Sequence, residues 1–86
     1  MASKTVIVGS AEGLHARPAA IVAEAAEGYD AEIELSVEGE DPVDAASSMM
    51  IMALGADKGV KVTVTSDDEA AVDAIVALIE QDLDAE

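Results

Sequence analysis

A histidine and an arginine two positions apart, His15 and Arg17, are the residues of this sequence best suited to chemistry. Each is the only residue of its type in the chain. An unperturbed imidazole is mostly uncharged at neutral pH and can act as a nucleophile, and a guanidinium offers a planar fork of donors that fits phosphate. The pair indicates a histidine that accepts a phosphoryl group, although a surface histidine that merely caps a helix could occupy the same position.

The local pattern places this pair at the start of a helix. Strong helix formers predict a helix over about Ala16–Glu27. Pro18 is compatible with the first turn, where backbone amides have no intrahelical partner. Those free amides and the positive end of the helix dipole attract anions. Ala16 and Arg17 are therefore predicted to bind the phosphate that His15 carries.

Composition excludes several classes of protein. A chain of 86 residues predicts a single domain over residues 1–86. The absence of cysteine excludes disulfides and thiolate metal sites, and a lone histidine gives no ligand set, so we expect no metal and no cofactor. No apolar run approaches the roughly 20 residues of a membrane span, and no signal-peptide pattern opens the chain. We expect a cytoplasmic monomer without a membrane-inserted segment.

The charge is strongly acidic, with 19 acidic and four basic side chains and a formal net charge of −15. Binding to nucleic acid or to an anionic membrane is not expected, because both require basic patches. The chain lacks Phe and Trp, so its core must be aliphatic. Molar salt would screen the self-repulsion of such a chain. We interpret the composition as adaptation to a salty cytoplasm; an ordinary acidic protein is the alternative.

Hydrophobic periodicity predicts four strands and three helices in the order βαββαβα, and helices on one face of an antiparallel sheet give an α+β domain. The predicted strands are Thr5–Val8, Glu32–Glu38, a short edge strand at Val43, and Val60–Thr65. The second helix is predicted to begin after an N-cap at Ser47 and to end near Leu54, before Gly55. The third follows a capping box over Ser66–Glu69. The predicted core-facing helix residues are Ile21, Val22 and Ala25, then Val72, Ile75, Val76, Ile79 and Leu83.

Three segments carry a resemblance to a known family. The octapeptide 13–20, Gly-Leu-His-Ala-Arg-Pro-Ala-Ala, resembles the active-site segment of HPr, the histidine phosphocarrier of the phosphoenolpyruvate:sugar phosphotransferase system. Met49–Gly55 is similar to that family's second helix, and Lys58–Val60 to the turn into its last strand. The resemblance implies an open-faced β-sandwich, with a four-stranded antiparallel sheet and three helices on one face.

The same resemblance implies a function and a set of partners. His15 would take a phosphoryl group on Nδ1 from Enzyme I and pass it to a sugar-specific permease component, with Arg17 and the following amides stabilising the charge. Such a chain is a phosphotransferase component with a covalent phosphohistidine, rather than a stand-alone enzyme. Three alternatives stay open: a carrier for a dihydroxyacetone kinase system, a regulatory binding module without phosphoryl turnover, and an inert α+β interaction domain.

The second helix raises two further expectations. Its methionines cannot all face the core, so Ser48, Met49, Met50 and Met52 are predicted to dock partners, with incidental exposure beside a core patch as the alternative. Ser47 has a capping role, and the resemblance adds possible regulatory phosphorylation there.

Five positions depart from the family's common pattern. Ala45 and Ala46 stand where many members carry a basic residue, which weakens the regulatory interpretation of the serine that follows. Glu24 and Glu27 make the first helix acidic, so apolar contacts would have to contribute more to recognition. Glu12 lies close in sequence to the expected phosphate, where its carboxylate could repel that group or favour protonated histidine.

Overall fold

A computed structural model describes residues 2–9, 13–14 and 16–81. Its elements follow the predicted order βαββαβα. They are β1 (Ala2–Ile7), α1 (Ala16–Glu27), β2 (Ile33–Ser36), β3 (Val43–Asp44), α2 (Ser48–Leu54), β4 (Lys61–Ser66) and α3 (Glu69–Glu80). None of the helices in these ranges is both long enough and apolar enough to cross a bilayer.

The four strands form one antiparallel sheet in the order β1-β4-β2-β3. Strand β4 lies between β1 and β2, and it pairs with β1 along its whole length, from Lys61 opposite Ile7 to Ser66 opposite Ala2. Helix α1 packs beside both α2 and α3, while α3 also packs on β1 and β4. The predicted α+β open-faced sandwich is confirmed.

The core between sheet and helices is aliphatic, as the composition requires. Alternate residues of the central strands point into it, so that Ile33 and Leu35 are buried while Glu34 between them is exposed. Ile51 is the one buried residue of α2. The largest fully buried side chains are Leu35, Ile51, Ile75, Ile79, Val8, Val22, Val62, Val64, Val72 and Pro18.

Strand bounds differ from the prediction where pairing overrides local preference. Strand β1 begins at Ala2 rather than Thr5, because residues with little strand preference pair with the far end of β4. Val8 lies beyond the strand, although its amide still donates to the Val60 carbonyl at 3.0 Å. Strand β2 is shorter than predicted, and β4 is shifted one residue toward the C-terminus.

The bounds of α1 match the prediction, but its buried face is different. Val22 is buried as expected, whereas Ile21 and Ala25 are only half-buried. The other buried residues of α1 are mostly alanines on an adjacent face of the helix. Small side chains there let α1 pack closely against both α2 and α3. The buried residues are Pro18, Ala19, Val22, Ala23 and Ala26.

The predicted cap of α3 is wrong. Ser66 belongs to β4, where it pairs with Ala2 on one side and Ile33 on the other. Asp68 is the N-cap, and the Ser66 hydroxyl instead accepts a hydrogen bond from the Asp68 amide at 3.2 Å. Along the helix Val72, Ile75 and Ile79 are buried and Val76 is half-buried, whereas Leu83 lies outside the described residues.

Candidate functional site

The candidate nucleophile, His15, lies outside the described residues, and so does Glu12. The residues that flank the histidine in sequence are described. Leu14 is 3% exposed, and its amide donates to the Ala56 carbonyl at 2.8 Å. Ala16 is the first residue of α1. The described part of the site consists of the chain that enters α1 and the first turn of that helix.

The first turn of α1 has the features of an anion-binding position. Ala16 and Arg17 are exposed, while Pro18 beside them is fully buried and anchors the turn to the core. No acidic residue lies in this turn. Within the described ranges the one ion pair joins Lys4 to Asp73, so no described carboxylate neutralises Arg17. The guanidinium, the free amides and the helix dipole all favour an anion there.

The second candidate region is α2, which is capped at both ends. Ser47 is its N-cap, as predicted, and its hydroxyl accepts a hydrogen bond from the Met50 amide at 3.3 Å. At the other end Gly55 has a φ of 70° and its amide donates to the Met52 carbonyl. Two local caps explain how a helix of only seven residues is held in place.

The methionines of α2 are exposed while the residue among them is not. Ile51 is fully buried, whereas Met49, Met50 and Met52 are 76%, 45% and 37% exposed. Ser48 is half-buried at the first position of the helix. This helix therefore presents an apolar surface to solvent, which we call the methionine surface (Met49, Met50 and Met52).

The structure brings the start of α1 to the end of α2. Gly13 and Leu14 contact the backbone of Ala56 and Asp57, the two residues that follow Gly55. Sequence reasoning missed these two positions, because nothing local distinguishes an alanine and an aspartate in a turn. Ser47 lies at the opposite end of α2, about 10 Å further along a helix of this length.

The acidic residues of α1 lie in its last turn, away from the start of the helix. Glu24 and Glu27 are exposed on α1. Among the described residues, no group of three or more histidine, cysteine, aspartate or glutamate side chains could hold a metal ion. The chemistry that the described part of the site offers is stabilisation of a bound anion.

The described geometry is an open-faced sandwich with an exposed arginine at the start of a helix, which suits the class of proteins that bind phosphate or another anion. Comparison with known proteins identifies the family. A family model described as the phosphorylation site of the phosphotransferase system HPr component matches residues 2–81. The chain belongs to the HPr family of phosphocarrier proteins.

Individual relatives agree with this assignment. The phosphocarrier protein HPr of Streptomyces coelicolor is 41% identical over 78 residues, covering 91% of this chain and 84% of the relative. That of Haloferax volcanii is 40% identical over 76 residues, covering 84% and 85%. The crystal structure of HPr-C-His from Thermoanaerobacter tengcongensis superposes with a TM-score of 0.89 at 35% identity, covering 100% of this chain and 99% of the other.

Proposed function

We propose that this chain carries phosphoryl groups on His15 in a phosphoenolpyruvate-dependent sugar phosphotransferase system. It receives the group from phosphorylated Enzyme I and delivers it to a sugar-specific permease component. Membership of the HPr family supports the chemistry. The observation that carries the proposal is the start of α1, where Ala16 and Arg17 are exposed directly after the histidine and the first turn holds no acidic side chain.

The proposed transfer step exchanges one bond to phosphorus for another and needs no cofactor. Neutral His15 attacks phosphorus through Nδ1, so that a nitrogen–phosphorus bond forms while the bond from phosphorus to the donor breaks, and the electron pair of that bond returns to the donor. The transferring group spreads negative charge over its three outer oxygens, and catalysis then depends on positioning and on electrostatic stabilisation. In delivery the same events run from His15 to the acceptor.

The start of α1 supplies the stabilisation. The Arg17 guanidinium donates two parallel hydrogen bonds where charge develops, and the Ala16 and Arg17 amides add donors at the positive end of the helix. Both residues are exposed, so the phosphate stays accessible to the next partner. An exposed site also suits a carrier, which must release the group as readily as it accepts it.

The methionine surface is the proposed docking face for both partners, together with Ser48. Methionine is flexible and polarisable, so one surface can fit more than one protein. Burial of Ile51 anchors the helix while its neighbours stay free for contact. Because the chain carries a charge of −15, apolar contact is the better source of affinity on this face.

Ser47 is the residue that a regulatory kinase would modify in this proposal. Its hydroxyl caps α2 through the Met50 amide, so a phosphate there would stand at the positive end of a helix. It would also place a double negative charge beside the methionine surface. We expect Ser47→Asp to raise the KM for Enzyme I while leaving the helix content unchanged, and an unchanged KM would remove Ser47 from the proposal.

The central experiment incubates the chain with phosphoenolpyruvate and Enzyme I and follows labelling by mass spectrometry. We expect one phosphoryl group that is lost in acid and kept in base, as befits phosphohistidine, and no label on His15→Ala. Full labelling of His15→Ala would contradict the proposal. The reaction uses a cytoplasmic metabolite, so the proposal places the carrier in the cytoplasm.

A second step separates the proposed role from its rivals. The labelled chain is offered to a sugar-specific permease component and, in parallel, to the components of a dihydroxyacetone kinase system. We expect the label to move to the permease component. Movement only to the dihydroxyacetone kinase system would replace the acceptor in our proposal, and a chain that never takes up label would be a binding module instead.

A further inference from the structure

The segment that leads into α1 is held by the turn that follows α2. Gly13 is buried and has a φ of +77°, in the left-handed region that favours glycine. A Cβ on Gly13 would overlap the Ala56 carbonyl oxygen and lie 2.7 Å from the Asp57 Cα, and both of these are backbone atoms that cannot rotate away. Gly13 is therefore required for its backbone angle and for its lack of a side chain.

The next residue is fixed to the same turn. The Leu14 amide donates to the Ala56 carbonyl at 2.8 Å, and the side chains of Leu14 and Ala56 are both 97% buried, with 3% exposed. The carbonyl belongs to the residue after Gly55, whose left-handed conformation ends α2. The end of α2 therefore sets the position of the chain one residue before His15.

Other glycines share one of these two features but not both. A Cβ on Gly9 would also overlap backbone, at the Glu80 carbonyl, but Gly9 has no positive φ. Gly39, Gly55 and Gly59 also have positive φ, from 70° to 89°, but a Cβ on any of them would meet nothing within 4 Å. Among the described glycines with positive φ, Gly13 alone combines that backbone angle with a close approach to other backbone atoms. A glycine that served only to reverse the chain direction would need the positive φ but not the close backbone approach.

We propose that Gly13, Leu14 and the Ala56 carbonyl are positioning residues for phosphoryl transfer, an inference that rests on the proposed function of His15. They fix the entry into α1 against the end of α2, so the phosphate-accepting segment keeps a constant relation to the methionine surface. A partner that docks on that surface then meets the acceptor in a set place. Misplacement of a reacting group by about 1 Å costs roughly 100-fold in rate.

The first test compares Gly13→Ala with Gly39→Ala. Both substitutions strain a positive φ by a similar amount, but only the first also collides with backbone. With Enzyme I as catalyst and the chain as varied substrate, we expect Gly13→Ala to lower kcat by about 10- to 100-fold with little change in KM. Gly39→Ala, in the exposed turn between β2 and β3, should keep the wild-type kcat.

A second variant keeps the test decisive if Gly13→Ala does not fold. The chain is short enough for chemical synthesis, and an ester in place of the Leu14 amide deletes the donor to Ala56 and leaves the side chain intact. An ester in place of the Ala45 amide is the control, because it deletes a buried non-local bond of similar length, 2.9 Å to the Ile33 carbonyl. We expect the Leu14 ester to lower kcat at least 10-fold more than the Ala45 ester does.

The possible outcomes separate this inference from the proposed function. A wild-type chain that accepts no phosphoryl group would overturn both. A labelled wild type with Gly13→Ala or the Leu14 ester folded and equally fast would overturn the positioning role alone. A loss in kcat no larger than that of the matched control would also overturn it, because backbone strain would then account for the effect.

Discussion

The starts of α1 and α3 carry opposite charges. At α3 the Asp68 carboxylate accepts hydrogen bonds from the Ala70 and Ala71 amides at 3.0 and 3.3 Å, and Glu69 adds a further negative charge to the first turn. At α1 the first turn holds no acidic residue and carries an exposed arginine. Both helices have 12 residues, so they have similar dipoles.

We interpret the difference as one of role: the start of α3 contributes to the stability of the fold, and the start of α1 takes part in the proposed phosphoryl transfer. The chain has 19 acidic side chains, and one of them, Asp68, is the N-cap of α3. The first turn of α1 contains no acidic residue, and in our proposal its positive end is left for the phosphoryl group. A helix start without a carboxylate among its described residues, in a chain so rich in carboxylates, fits the phosphate-binding role that we propose.

The largest expected effect comes from Arg17. We expect Arg17→Ala to slow phosphoryl acceptance by about 10²- to 10³-fold, the range seen when one donor to developing charge is removed. Its unfolding free energy should change little, because the side chain is exposed and unpaired with described carboxylates. Rapid-quench kinetics and urea unfolding measure the two quantities. A stability loss with an unchanged rate would reverse our assignment of the two helix starts.

Salt should act on the whole acidic surface and so stabilise the fold. Screening reduces self-repulsion, and we expect the melting temperature to rise from dilute buffer to molar potassium chloride. For a domain of this size each 1 kcal/mol gained shifts the melting temperature by about 4–8 °C, so even modest screening is measurable. A melting temperature indifferent to salt would contradict adaptation to a salty cytoplasm.

The same salt series tests the methionine surface. If apolar contact dominates docking, the transfer rate should hold or rise with salt rather than fall. Triple substitution of Met49, Met50 and Met52 by Gln should raise the KM for Enzyme I in molar salt. A rate that falls steeply with salt in the folded wild type would assign docking to charged groups instead.

A smaller effect is expected at the other helix start. Asp68→Ala should destabilise the fold by about 1 kcal/mol, the usual loss on removing an N-cap, and leave phosphoryl transfer unchanged. Thermal unfolding and the Enzyme I assay, run on the same sample, check both halves of this prediction. A slower transfer at full stability would mean that α3 takes part in the reaction.

The smallest effect concerns the ion pair between β1 and α3. The pKa of Lys4 is raised above its ordinary value of 10.5, first by the side-chain hydrogen bond that Lys4 donates to Asp73 and then by the negative charge of that carboxylate. A raised pKa means that the stabilisation is fully present below the unfolded-state pKa and is lost as the pH rises through the folded-state value. Lys4→Gln should therefore be slightly less stable than wild type at pH 7, and the difference should shrink as the pH rises through the folded-state pKa of Lys4, which lies above 10.5. A constant difference across this range would exclude the pair as its cause.

Patterns within a few residues predicted most of the fold. The bounds of α1, the Ser47 cap and the end of α2 at Gly55 follow from local chemistry, and all were predicted correctly. The cap of α3 was not, because Ser66 is drawn into β4 by pairing with strands far away in sequence, which moves the cap to Asp68. Sequence patterns within a few residues cannot predict whether a serine will pair in a sheet or cap a helix when the pairing partner is distant in sequence.

The candidate site divides in the same way. A histidine and an arginine at a helix start can be found from the sequence, since their types and spacing carry the chemistry. The contact of Gly13 with Ala56 and Asp57 joins positions more than 40 residues apart through backbone atoms. Backbone contacts leave no side-chain signature except a glycine, and one glycine does not say which segment it approaches.

One measurement tests the contrast between the two helix starts most directly. Amide ¹H–¹⁵N spectra of the chain are recorded before and after phosphorylation by Enzyme I and phosphoenolpyruvate. We predict that the Ala16 and Arg17 amides shift more than any others outside His15 itself, as they bond to the new phosphate, while the Ala70 and Ala71 amides of α3 stay fixed. Unmoved amides at the start of α1 in a chain phosphorylated on His15 would contradict the claim that this helix start binds the phosphoryl group.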